Sequence, residues 1–309
     1  MLSKESKIYI AGHNGMVGSA CWRALSNAGY TNLIGKSSKE LDLRNQLEVK
    51  DFLIKEKPFA IINAAAKVGG ILANDTYPYE FLMDNMLIQN NLILLAHELD
   101  IQKFVFLGSS CIYPKMAKQP LKEEYLLTGP LEPTNEWYAI AKISGLKLIE
   151  ALRKQYNRDY VSLMPTNLYG PGDNFDLDTS HVLPAMIRKF HEATKNNYPV
   201  VQLWGTGIPM REFLHIQDLS TAVILMLENK TKEHLYNVGS SSDVTIRELS
   251  HLVKEIIGYN GTVIWDKTKP DGTPRKLMDS SKILKMGWQP NINLNKGIKS
   301  TYKWYLENS

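Results

Sequence analysis

Cysteine is nearly absent: Cys21 and Cys111 are the only two in 309 residues. Two are too few for a disulfide framework and their neighbours lack zinc-ligand spacing, so a reducing compartment and no bound metal are expected. His13, His97, His181, His191, His215, His234 and His251 likewise show no ligand spacing. Long apolar runs are missing too. Nothing approaches the roughly 20 residues of a membrane span, and Met1 to Ser6 carries charges where a signal peptide needs an apolar stretch. A cytoplasmic protein without a membrane partner is expected. An excess of one charge is also lacking: 36 basic residues are scattered among 32 acidic ones, a net charge of +4, and no basic-aromatic cluster marks a nucleic-acid partner. There is no internal repeat and no low-complexity tract.

What is present is a globular composition, 44% hydrophobic and 22% charged, enough to bury a large core. The first half alternates short apolar β-rich runs with helical patterns. The runs are Ile8 to Ala11, Leu33-Ile34, Ala60 to Asn63, Phe104 to Leu107 and Val161 to Met164. Helices are predicted from Met16, from Asn45, through Asn91 to Ala96, and from Trp137 to about Tyr156. Such alternation predicts βαβ units, and continuous apolarity predicts strands covered on both faces. After Pro165 the pattern gives way to Gly-, Pro- and Asn-rich segments, Tyr169 to Asn174 and Lys269 to Lys276, which read as ligand loops. Thr245 and Glu248 form a capping box for a helix that Gly258 can close, and an amphipathic helix starts near Asn295. The expected fold is α/β, a Rossmann-type doubly wound parallel sheet with a smaller C-terminal α/β substrate-binding lobe. Residues 1–168, with 213–238 returning, would form the dinucleotide domain, and 169–212 with 239–309 the lobe.

Gly12, Gly15 and Gly18 recur at spacings of three between the first strand and the first helix. The first permits a tight turn, the second lets amides approach a pyrophosphate, and the third allows close helix–strand packing. Gly12, Asn14, Gly15, Met16 and Val17 are therefore candidate cofactor contacts. After the second strand no acid awaits a ribose 2′-hydroxyl; the stretch is Gly35-Lys36-Ser37-Ser38-Lys39. Its charge suits a 2′-phosphate, so NADP(H) is preferred over NAD, resting on Lys36 or Lys39. Small residues from Ala64 at the end of the third strand would let the chain pass close to the cofactor. Tyr138 and Lys142 stand four apart on a predicted helix, hence on one face. A cation beside the phenol is expected to lower its pKa and make Tyr138 a usable acid. Ser109, after the fourth strand, completes a candidate reductase triad at the carboxyl edge of the sheet.

Here the chain resembles the GDP-L-fucose synthase family of extended short-chain dehydrogenase/reductases over nearly its whole length. The likeness rests on Ala11-Gly12-His13 through Gly18, Lys67 to Ile71, Gly108 to Lys115, Glu132 to Asn135, Pro165 to Pro171, Ser180-His181-Val182 and Trp204 to Gly207. The resemblance implies NADPH-dependent 3,5-epimerisation and 4-reduction of a GDP-4-keto-6-deoxyhexose, with Cys111 and His181 as base and acid. It also implies an adenine contact at Asp42, further cofactor contacts at Lys142, Pro165, Asn167, Leu168 and His181, and a homodimer built on two helices per subunit. Substrate contacts are implied at Ser109, Asn167, Lys189, Trp204 and Arg211, the last suited to a diphosphate. Asn14 and Ser38 stand where the family places basic residues, and Lys189 where it places arginine. Without the resemblance, Cys111 reads as core, His181 as a helix cap and Arg211 as a surface partner of Glu212. The alternatives are a related GDP-sugar C4-reductase, acting on a dideoxysugar or a 6-deoxy-4-ketoheptose with epimerisation altered or lost, and a catalytically silent NADP-binding scaffold.

Overall fold

In the computed structural model, which describes residues 2–269 and 271–309, the apolar runs become strands where the alternation predicts them. The chain runs β1 (Ile8–Ala11), α1 (Met16–Asn27), β2 (Leu33–Ile34), α2 (Gln46–Glu56), β3 (Ala60–Asn63), α3 (Ile71–Thr76), α4 (Pro78–Glu98) and β4 (Lys103–Leu107). It continues with α5 (Glu136–Tyr156), β5 (Asp159–Pro165), β6 (Asn167–Tyr169), α6 (Val182–Lys195), β7 (Val200–Trp204), β8 (Met210–His215), α7 (Ile216–Glu228) and β9 (Leu235–Val238). Then follow β10 (Asp243–Thr245), α8 (Ile246–Ile257), β11 (Thr262–Asp266), β12 (Arg275–Lys276), α9 (Ser281–Leu284) and α10 (Leu294–Asn308).

The main sheet has the order β2-β1-β3-β4-β5-β9, every pair parallel. Strand geometry sends alternate side chains to opposite faces, and each face carries its own core. Tyr9, Ile61, Phe104 and Phe106 pack on one side with residues of α2, α4 and α5; Ile8, Ile10, Ile62, Val105 and Leu163 pack on the other with α1 and α7. Burying each such side chain stabilises the fold by roughly 1.5–3 kcal/mol. Ile283 and Trp288, far along the chain, join the second of these cores.

A third core lies apart, where Leu183, Ile187, Phe190, Leu203, Leu249, Val253 and Ile298 pack together. Two small sheets edge it: β11 parallel to β7, and β8 flanked by antiparallel β10 and parallel β12, with β6 also paired to β8. The predicted capping box is present, Gly258 closes α8 at φ 80°, and α10 begins at Leu294. α3 and the strand pairings of this lobe had no periodic signal long enough to predict them. No helix among the described residues is long and apolar enough to cross a membrane.

Side-chain caps close some helix starts and leave others open. Asn45, Thr245 and Asn293 cap α2, α8 and α10 with side-chain acceptors. The first turns of α1, α5 and α6, preceded by Gly15, Asn135 and His181, receive no side-chain cap. Amides left without intrahelical acceptors there stay available to a ligand.

Candidate active site

The glycine turn is built for close approach. Gly12 has φ +80°, and a Cβ there would lie 2.8 Å from the backbone of Ala65, while one on Gly18 would lie 2.1 Å from the Gly12 carbonyl oxygen. Gly15 meets only that same oxygen, at 3.4 Å. So Gly12 and Gly18 hold the turn against β3, and Gly15 leaves room outside the first turn of α1, where Met16 and Val17 sit. Asn63 at the end of β3 is 1% exposed, and neither its Oδ1 nor its Nδ2 has a hydrogen-bond partner among the described residues. A glycine cradle, an uncapped helix end and orphaned polar atoms fit a dinucleotide. Ala64 follows Asn63 in this wall, its amide donating to the Ala11 carbonyl.

Beyond β2 the charged side chains are already paired. The Lys36 ammonium pairs with Glu40 at 3.2 Å, and Glu40 also accepts from the amide and hydroxyl of Ser37. Those Ser37 bonds, then Lys36, hold the Glu40 carboxyl down at about 2. Asp42 is half-buried and accepts from Arg44, which with Lys67 also pairs Asp84. The Asp42–Arg44–Asp84–Lys67 chain was not foreseen, because its members are scattered through the sequence.

At the carboxyl end of β4, Ser109 precedes a short 3₁₀ turn, Ser110–Ile112, and its hydroxyl accepts from the Cys111 amide at 3.4 Å. Across from it, α5 presents Tyr138 and Lys142. The Lys142 ammonium donates to the Leu107 carbonyl at 3.0 Å and lies 5.7 Å from the Tyr138 ring centroid. Burial lowers Lys142 to about 8, while Cys111 acts against that fall. The expected lowering at Tyr138 is not found: burial pushes the phenol well up, and the neighbouring Cys111 adds to it. Lys142 spends its charge on a backbone carbonyl, so the phenol is held protonated, the form in which it can donate. Cys111, 6% exposed, is raised by burial, against which Lys276, the Ser109 hydroxyl and Lys142 act in that order.

His181 occupies the N-cap position of α6 but its side chain makes no capping bond, which corrects the capping reading. The residue as a whole stays exposed, while crowding by the protein around it, then the charge of Lys276, holds the imidazole pKa down. The Lys67–Ile71 segment braces this loop, the Gly70 amide donating to Thr179 at 2.9 Å. Two motifs more than a hundred residues apart thus meet.

Strand alternation on β8 points Arg211 and Glu212 opposite ways, which excludes a pair between them. Glu212 is fully buried and accepts from the amides of Ser241 and Met278, whereas among the described residues the Arg211 guanidinium donates only to the Met210 carbonyl. Asn167 donates to the Glu212 carbonyl at 2.7 Å, leaving its Oδ1 without a donor among the described residues. Pro165 ends β5 in register with Val238, and Leu168 pairs Leu214. Lys189 and Trp204 form a separate group. The Lys189 ammonium donates to the Gln202 carbonyl and lies 5.9 Å from the Trp204 centroid; Lys269 lies 5.3 Å from the same ring, which is 54% exposed. Asp271 joins the Trp204–Gly207 turn by accepting from the Thr206 amide and hydroxyl.

The model of the NAD dependent epimerase/dehydratase family matches residues 8–239. The chain is similar to a putative GDP-L-fucose synthase 2 of Arabidopsis thaliana, 56% identical over all of this chain and 94% of that one. It is 52% identical to GDP-L-fucose synthase of Escherichia coli K12, covering 99% of this chain and 98% of that one. Among solved structures it resembles a GDP-mannoheptose C4 reductase from Campylobacter jejuni with NADP bound, with a TM-score of 0.91, 37% identity, and coverage of 99% and 100%.

Proposed function

The chain belongs to the NAD dependent epimerase/dehydratase family, and from that premise we propose that it converts GDP-4-keto-6-deoxy-D-mannose to GDP-L-fucose with NADPH, by epimerisation at C3 and C5 followed by reduction at C4. One observation supports this reading above the others: Lys142 donates to the Leu107 carbonyl at 3.0 Å, fastening the helix that carries Tyr138 to the strand end that leads directly into Ser109 and Cys111. In this reading a base for epimerisation and the acid for reduction share one end of the sheet.

The C4 ketone acidifies the hydrogens at C3 and C5. Cys111, as thiolate, takes a proton, and the C–H electron pair moves through the enolate to O4, where Ser109 and Tyr138 donate hydrogen bonds to the developing charge. His181 returns a proton from the opposite face, inverting the centre. Gly12, Asn14, Gly15, Met16, Val17 and Ala64, with Lys36, Asp42, Lys142, Pro165, Asn167, Leu168 and His181 around them, would hold NADPH, whose chemistry when bound would be to provide a hydride for C4. Tyr138 then gives its proton to O4, and Lys142 stabilises the phenolate left behind. Lys189, Trp204 and Arg211 bind the GDP portion, Arg211 the diphosphate, with Ser109 and Asn167 at the sugar.

In this reading residues 1–168 and 213–238 hold the cofactor, and 169–212 with 239–309 the substrate. The protein acts in the cytoplasm as a homodimer. Leu87 and Leu94, seven apart on α4, and Ile140 on α5 stay exposed on the two helices assigned to the interface, and a monomeric mass by light scattering at micromolar protein would count against it.

The deciding experiment follows NADPH consumption with GDP-4-keto-6-deoxymannose and resolves products by NMR. Wild type is expected to give GDP-L-fucose, and Cys111→Ser a C4-reduced sugar unchanged at C3 and C5. A wild type that ignores the hexose but consumes NADPH with a GDP-6-deoxy-4-ketoheptose would move the substrate to the heptose class.

A further inference from the structure

Lys276 enters none of these roles, yet its surroundings are unusual for a lysine. It sits on β12, in register with Arg211 on β8. The segment around it is tied down on both sides. The Met210 amide donates to Pro274 at 2.9 Å, the Leu277 amide to Gln119 Oε1 at 2.9 Å, the Leu121 amide to the Leu277 carbonyl at 2.7 Å, and the Asp279 amide to the Leu121 carbonyl at 2.8 Å. The strand is thereby fastened to the stretch that follows the Cys111 turn, and Cys111, Lys115, Glu132, Thr273, Arg275 and Lys276 line one small crevice.

The charges in that crevice can be paired off. Lys115 meets Glu132 at 2.8 Å, and Arg275 meets Asp243 at 2.6 Å. Lys276 is half-buried, and its ammonium makes no hydrogen bond or ion pair among the described residues. The other charged or titratable groups near it are Arg211 on β8, Glu132, and His181 at the head of α6, with Tyr138 and Lys142 behind Cys111 on α5. The nearby carboxylate that acts on it, Glu132, is held by Lys115, and a half-buried ammonium left without an anion of its own is destabilised unless something else carries a negative charge. Within this protein, Cys111 is the remaining group that can become one.

We propose that Lys276 is a positioning residue for epimerisation, its ammonium serving as the counter-charge of the Cys111 thiolate and sharpening His181 as the opposing acid. One cation thereby favours both halves of the proton exchange: it steadies the thiolate that takes a proton and makes the imidazolium readier to give one. Two couplings agree with this, one of them seen from both ends. Lys276 is the largest influence opposing the rise at Cys111, Cys111 in turn works against the fall at Lys276, and Lys276 helps lower His181. Arg211, adjacent in the sheet, is left to the diphosphate, so two neighbouring cations serve different anions.

The proposal rests on Cys111 being the base, and the test separates the two ideas. The thiolate absorbance of Cys111 is isolated as wild type minus Cys111→Ser, and as Lys276→Met minus the Lys276→Met, Cys111→Ser double variant. Loss of the ammonium is expected to move the Cys111 midpoint up by about one pH unit or more, and Lys276→Arg to bring it back. The acid limb of deuterium incorporation at C3 and C5 of the GDP-ketosugar should move with it. An unchanged midpoint, or a rise in KM alone with both pH profiles in place, overturns the proposal and leaves Lys276 as a diphosphate ligand. If Lys276→Met does not fold, Lys276→Gln gives the same comparison. Deuterium incorporation that survives Cys111→Ser would remove Cys111 as base without touching the titration result.

Discussion

The Lys142 ammonium donates to the carbonyl oxygen of Leu107 at 3.0 Å, fastening the helix that carries Tyr138 to the strand end from which Ser109 emerges. The bond holds Lys142 among apolar surroundings that lower it to about 8. Its charge is therefore lost as pH rises past 8, and the alkaline limb of hydride transfer should fall there. Lys142→Met is expected to slow hydride transfer at least about 100-fold and to erase that limb, while Lys142→Arg moves the limb upward. Stopped-flow NADPH absorbance across pH measures both. The linkage runs the same way: a lysine depressed on folding favours the neutral form, so its contribution to stability grows as pH rises from about 8 toward its ordinary value.

Much of the fold was legible because it depends on local repetition. Apolar runs at Ile8 to Ala11 and Ala60 to Asn63, and caps such as Asn45 and Thr245, determine backbone structure from a few adjacent residues. The glycine turn was legible for the same reason. What stayed hidden depends on pairing between distant segments. Lys276 gains its setting only because β12 lies beside β8 and is bonded to residues 119–121. Glu212 could not be told from a partner of Arg211 until strand alternation turned it inward. The direction of the Tyr138 shift was misjudged because the motif reports a nearby lysine but not how deeply the phenol is buried or where the lysine donates.

Preference for NADPH should depend on Lys36 and on the acid that holds it. Glu40 keeps Lys36 at 3.2 Å, folded back toward the Ser37 turn. Lys36→Ala is expected to weaken NADPH relative to NADH by about tenfold, the worth of one exposed charge-assisted bond to a phosphate. Glu40→Gln should strengthen NADPH relative to NADH by freeing the ammonium. Fluorescence titration of both cofactors reads the ratio. Equal losses for NADPH and NADH in Lys36→Ala would shift the role to Lys39, which Lys39→Ala then tests.

Glu212 ties the sheet that presents Arg211 and Lys276, and it does so as a buried acid. Burial raises it to about 7, even though the Met278 and Ser241 amides and the Thr166 hydroxyl act the other way. A carboxyl raised on folding keeps a proton that the unfolded chain releases, so its stabilising contribution is complete below the ordinary glutamate value and is lost as pH rises through 7. The span corresponds to roughly 3 kcal/mol. Glu212→Gln removes that titration but sets an amide NH₂ against one of two backbone donors, at a cost of about 1–3 kcal/mol. The variant should therefore be markedly less stable than wild type at pH 5, with the gap narrowing above pH 7. Chemical denaturation at both pH values measures it, and a gap that does not change with pH would mean that Glu212 is ionised in the folded protein throughout. Because Met278 is bonded to this carboxyl and follows Lys276 by two residues, the same variant should also slow deuterium incorporation at C3 and C5 more than it weakens NADPH binding.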